Sequence, residues 1–400
     1  MPLPLRRLPG LHRPLVVVSA AMAALAVVCA VGLVVDDRVL AGAPIWAKPF
    51  KFAVSFAAYC LSFAWMLSLL PDRGRARRRT ARVAGTVLAA ACAVEMLLIV
   101  GQAARGRRSH FNQETPFDAA VYGAMGATAA VLWFAGLVIA VLLFRAPLAD
   151  RAAALTVRAS AVLALIGAAF GAVMTRPAPG QQRGVSDIVG AHSVGGPDGG
   201  AGTALTGWST TAGDLRVPHF VGMHALQLLP LVLLVLIALA PRFARLGDPR
   251  VRFRLMAVAS GAYAAVLALV SWQALRGQPL LGPDAATLTA AAVTAAFTAA
   301  GAAVALLIRP DRTPATPAGP RSAAAGPRND TGTGTGTGTR TDTDTGTGTG
   351  TTTGATGPNH ERTTAPEPER PADREQERGT GTGTEWERAA GPRQARESVR

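Results

Sequence analysis

Cysteine is scarce, with 3 in 400 residues, and Cys29, Cys60 and Cys92 each fall inside an apolar run. That excludes a disulfide framework and leaves small buried hydrophobes as their expected role. Charge is scarce too: 16% of residues are charged against 50% hydrophobic, and the charges gather between the apolar stretches. A GxSxG elbow, a CxxC pair, a Walker loop and a dinucleotide fingerprint are all missing. Their absence removes the common sequence signs of nucleophilic catalysis, thiol redox chemistry and nucleotide binding.

What the chain does have is eight long apolar runs, at 14–36, 49–70, 81–104, 118–144, 152–175, 217–240, 251–274 and 285–308. About 20 residues at 1.5 Å rise cross a hydrocarbon core of roughly 30 Å, so each run predicts a membrane-spanning helix. The runs lack the alternation of lipid-facing strands and are too long for them. The expected fold is therefore an all-α polytopic membrane helix bundle. The eighth run, TLTAAAVTAAFTAAGAAVALLI, is the weakest, being rich in Ala and Thr. The first run follows RRLPGLHRP but is longer than a signal-peptide core and has no small-x-small cleavage site before Asp36, so it reads as an uncleaved helix.

Basic residues set the orientation. With the N-terminal segment 1–13 cytoplasmic, the inner segments hold 17 arginines and the acids Asp72, Asp150 and Asp248, while the outer ones hold 10 Lys and Arg. Both termini are then inside, and the plasma membrane is the expected location. The inner segments account for 14 of the net charge of +15. A basic pI in a soluble chain points to nucleic acid; here it reports topology and attraction to anionic lipid, and no nucleic-acid partner is expected. From 309 to 400 the chain carries a TGTGTGTGTRTDTDTGTGTG tract and a mixed-charge end, a composition too poor in apolar side chains to fold, which predicts a disordered cytoplasmic tail.

The inner loops are short, whereas the outer connection 176–216 is long and Gly-rich, and contains His192, Asp198, Trp208, Asp214 and Arg216. A loop of that length in a compact domain points to function. Ionisable groups within spans are functional candidates by default. Glu95 is the only carboxylate well inside a span, roughly 13 Å below the outer end of the third helix. His224 lies about 10 Å below the same surface on the sixth, so the two are placed to pair if those helices adjoin. Gln102 shares the face of Glu95, and Gln227 that of His224. Lys48, Lys51 and Ser55 form an i, i+3, i+7 stripe at the outer end of the second helix, Asp118 and Tyr122 an i, i+4 pair on the fourth, and Gln273 closes the seventh. End-of-helix lysines also snorkel, and Tyr122 and Trp272 also fit an aromatic belt.

Together Glu95, His224, Gln227, Gln102, Lys51, Ser55, Asp118, Tyr122, Asp214, Arg216 and Gln273 make a candidate ligand site in the outer half. His219 and His224 are five residues apart, about 140° around a helix at 100° per residue, which does not suit one metal ion. A zinc site assembled from separate segments would draw on His110, His192, His219 and Asp198. Bis-histidine haem is not expected, because His224 has no second well-buried histidine to face it.

The segments WAKPFKFAVS, GQAARGRRSHFN, GDLRVPHFVGMHALQ and SWQALRGQPL give the first 308 residues a likeness to multi-pass membrane proteins of high-GC, actinobacterial-type bacteria. The likeness brings no activity with it. Two functions stay open: binding, sensing or transport of a small ligand or ion, and a membrane-embedded, metal-assisted enzyme acting on a lipid or small amphiphile.

Overall fold

The structure is a computed structural model that describes residues 10–40, 42–71, 74–204 and 206–308. The expectation of a disordered tail at 309–400, and most of that for segment 1–13, lies outside the described residues.

Among the described residues eight long helices form: α1 (Arg13–Val35), α2 (Ala47–Ser68), α3 (Arg75–Ala104), α4 (Pro116–Phe144), α5 (Arg151–Met174), α6 (Arg216–Leu239), α7 (Pro249–Leu275) and α8 (Ala285–Leu307). All eight are long and apolar enough to cross a bilayer. The chain is a multi-pass membrane protein with an all-α bundle. Helix starts are set by local capping. Thr115 accepts the Asp118 amide ahead of Pro116, and the carboxylates of Asp150, Asp248 and Asp284 cap α5, α7 and α8. The third helix departs from its expected start at 81, beginning at Arg75. Arginine is a good helix former, so the helix runs on past the apolar stretch.

Successive helices pack as antiparallel pairs, α1 on α2, α3 on α4, α5 on α6 and α7 on α8, and α2 also packs against both α3 and α6. One apolar core joins α1 to α4 with Val157, Ala164 and Leu226 from α5 and α6, and a second joins α5, α6 and α7 around Leu229 and Met256. The tightest joint is between α5 and α6. A methyl group on Gly167 would sit 2.5 Å from the Gly222 Cα, so only hydrogen lets the two backbones meet. The eighth helix leans on α7 through Gly301 and Val258 and buries only Thr287 and Ala305.

The connections at one end of the bundle are ordered and interlocked. Ser193–Val194 pairs antiparallel with Gly213–Asp214, and Asn112 bridges Ile188. A small cluster of Phe111, Met174, Leu215 and Ala274 seals this end. The long connection is therefore a packed cap.

Candidate functional site

Alternation of antiparallel helices brings the start of α2, the end of α3, the start of α4, the end of α5 and the start of α6 to this capped end. Within it, Lys48 in the first turn of α2 donates from Nζ to His110 Nδ1 at 3.0 Å. When Lys48 is protonated its ammonium group has no lone pair, and the imidazole then accepts at Nδ1 and carries its proton on Nε2. That Nε2 lies 3.9 Å from Glu95 Oε1, and the other carboxylate oxygen of Glu95 accepts from Thr128 Oγ1 on α4. Lys48, His110, Glu95 and Thr128 thus form one polar chain across three helices and a loop. Burial holds the His110 imidazole well below its ordinary pKa, and the neighbouring Lys48 charge adds to the effect, so the ring is neutral near pH 7.

The loop between α3 and α4 aims His110. Its next residue, Phe111, has φ +63°, a left-handed conformation that costs a bulky residue strain. Phe111 stays there because its carbonyl accepts from Val189 and its ring packs against Tyr122 and His192, with centroids 5.9 and 4.8 Å away. Gly190, at φ +118°, lies against Cδ1 and Cε1 of that ring. A methyl group there would overlap Phe111 and sit 2.8 Å from the Met174 carbonyl.

Beside Phe111, His192 Nδ1 is 3.0 Å from Asp198 Oδ2, whose carboxylate also accepts the amides of His192 and Ser193. Burial lowers the His192 pKa, against the pull of Asp198, so this ring too is neutral and donates to the carboxylate. Burial alone would raise the Asp198 carboxyl, but the His192 and amide bonds outweigh it and hold the acid below its usual range. The His192 carbonyl accepts from Leu215, and one turn further along α6 His219 donates from Nδ1 to the Gly167 carbonyl at 2.9 Å.

The expected partnership of Glu95 with His224 does not form. His224 Nδ1 meets Gln227 Oε1 at 3.1 Å, and Gln227 passes the bond to Ser62 on α2 at 2.9 Å. Matching depths were the only basis for that pairing. Glu95 turns to α4 and the His110 loop, and α2 supplies the partner on the other side.

Several other candidates hold the cap together. Asp118 is fully buried and accepts from Gln102, Thr115 and Arg105. Asp214 holds Arg216 through two nitrogens and also accepts the Ser209 amide, while Gln273 donates to the Pro279 carbonyl. Lys51 reaches the Thr206 carbonyl at 3.0 Å and pins the loop tip to α2. Ser55 is half-buried in the third turn of α2. Tyr122 Oη is buried with no hydrogen-bond partner among the described residues. Thr128, Phe111 and Gly190 were not foreseen. A lone hydroxyl in the run GAMGATAAV was the only signal available for Thr128.

No protein-family model, curated protein or solved structure matches the chain. Its site has to be read from its own chemistry. Among the described residues no three His, Cys, Asp or Glu side chains are grouped as a metal centre. His192 and His219 nonetheless each spend Nδ1 on an acceptor and keep Nε2 as a free base, the arrangement that orients metal-binding imidazoles.

Proposed function

We propose that this is a plasma-membrane protein, with both termini cytoplasmic, that binds a small ligand or ion in its extracytoplasmic half for sensing or transport. The observation that carries the reading is the Lys48–His110–Glu95–Thr128 chain, in which three titratable side chains and a hydroxyl are gathered from α2, α3, α4 and a loop at the capped end. Such groups are costly near lipid and persist where they act on something. The unpaired Tyr122 hydroxyl nearby supports a ligand or water completing the site. The arginine-rich connections lie at the opposite end, which supports placing the site outside.

The test is a thermal-shift screen of small inorganic ions, amino acids and organic anions against the wild type and Glu95→Gln. Stabilisation of the wild type that is lost in the variant supports the reading. A wild type that responds to nothing sinks it. Reporter fusions after Arg78 and Gly200 check the orientation, which fails if the first is extracytoplasmic.

A second reading, a metal-assisted enzyme acting on a lipid or small amphiphile, is favoured by the free Nε2 atoms of His192 and His219. Zinc would be its cofactor, with His110 and Asp198 as further polar groups. Stoichiometric metal in the purified protein, lost in His192→Ala and His219→Ala, would select this reading, and metal-free protein that takes up no added zinc would eliminate it.

A further inference from the structure

Towards the arginine-rich end of the bundle, a groove of about 590 Å³ lies between α3 and α4 on the outer surface of the molecule. Val83 and Val87 of α3 and Val131, Phe134 and Val138 of α4 line it, and all five are exposed large hydrophobes. They recur at helical spacing, i and i+4 on α3 and i, i+3 and i+7 on α4, so each helix turns one continuous stripe to the groove. The stripe on α3 continues into Arg79, where Thr80 joins it as the groove's polar end. From Arg79 to Val87 the stripe is about 12 Å long at helical rise.

The charge at that end is one-sided. Arg75 and Arg82 flank Arg79 one turn to either side, so the early start of α3 places three guanidinium groups on one helical face. The side chains of Arg75, Arg79 and Arg82 are exposed, and none makes a hydrogen bond or ion pair with another of the described residues. A guanidinium pairs with phosphate oxygens through two parallel N–H donors. The groove thus joins an apolar trough about 12 Å long to an exposed guanidinium head, the order of parts in a lipid with a phosphate headgroup.

We infer that this groove binds an anionic phospholipid of the adjoining leaflet, with the headgroup phosphate on Arg79 and one acyl chain between α3 and α4. Any lipid chain can wet the trough, so charge decides the selectivity. The inference concerns the end of the bundle opposite the His110 site and does not depend on that site's ligand.

The experiment uses the full-length protein in detergent with an equimolar mixture of phosphatidylglycerol and phosphatidylcholine, and reads bound lipid by native mass spectrometry. Attraction of anionic lipid to clustered basic residues predicts a preference for phosphatidylglycerol of about tenfold. Arg79→Gln, an exposed change, should bring the ratio close to one, and Val87→Trp, which fills the trough, should lower the amount of both lipids bound. Equal binding of the two lipids by the wild type overturns the inference, and so does a preference that survives in Arg79→Gln or an unchanged lipid count in Val87→Trp.

Discussion

Replacing Gly167 with alanine would add one methyl group at the closest joint of the bundle. The new carbon would lie 2.5 Å from the Gly222 Cα and 2.6 Å from the Met223 nitrogen. Carbon atoms rest at about 3.5–4.0 Å, so α5 and α6 must part by roughly 1 Å. That separation stretches the 2.9 Å bond from His219 to the Gly167 carbonyl beyond useful length. Overpacking costs about 1–3 kcal/mol, and a lost interhelical hydrogen bond about 0.6 kcal/mol in a membrane protein. Against this stands the gain of about 0.5–1 kcal/mol from replacing glycine inside a helix. Packing wins, with a net loss of about 0.6–3 kcal/mol. Gly126→Ala on α4 is the control, because nothing lies within 4 Å of its added carbon, and it should be neutral or slightly stabilising. Thermal unfolding in detergent compares the two. Equal melting temperatures for Gly167→Ala and Gly126→Ala would refute the argument.

The fold should also be acid-sensitive. The His110 pKa is lowered in the folded state, so its contribution is complete above the unfolded value of about 6.5 and is lost as pH falls below it; stability should drop by up to about 1.4 kcal/mol per pH unit there, and by less in His110→Asn, as measured by melting between pH 7.5 and 5.5. Gly190→Ala should loosen the cap by about 1–3 kcal/mol, since it adds both backbone strain and a clash with Phe111. Limited proteolysis at Arg183 should become faster, and an unchanged cleavage rate would count against the docked loop. Thr128→Val removes the hydroxyl that donates to Glu95 and should cost about 1 kcal/mol, while Thr128→Ser should restore most of it. Gln227→Leu should cost about 0.6–1.7 kcal/mol by breaking the link from His224 to Ser62.

The eight helices were legible because a bilayer demands long apolar runs, and most ends fall within two residues of those runs. The gathering of polar groups at one end was legible as well, since antiparallel helices alternate their ends. What a linear sequence does not carry is azimuth. Glu95 and His224 were matched by depth alone, one coordinate of three, and they turn to different neighbours. His110 sits in a loop, and its aim depends on the left-handed Phe111 that follows it, which no periodicity announces. Asp118, Gln102, Asp214 and Gln273 looked like site residues because they are polar and share the site's end. Their bonds close turns and fasten loops, a distinction that rests on which carbonyl or amide lies opposite each of them.

The bond from His219 to Gly167 has a further consequence. Within α5 the Gly167 carbonyl is already the acceptor for the amide four residues on, so His219 takes its second lone pair. While the glycines touch, the ring is locked with hydrogen on Nδ1 and its basic lone pair on Nε2. If α5 and α6 part, the lock is released and the imidazole is free to exchange tautomers or turn over. The spacing of two helices is thereby recorded in which nitrogen of one side chain holds a proton, and a mechanical displacement becomes a chemical difference at the cap.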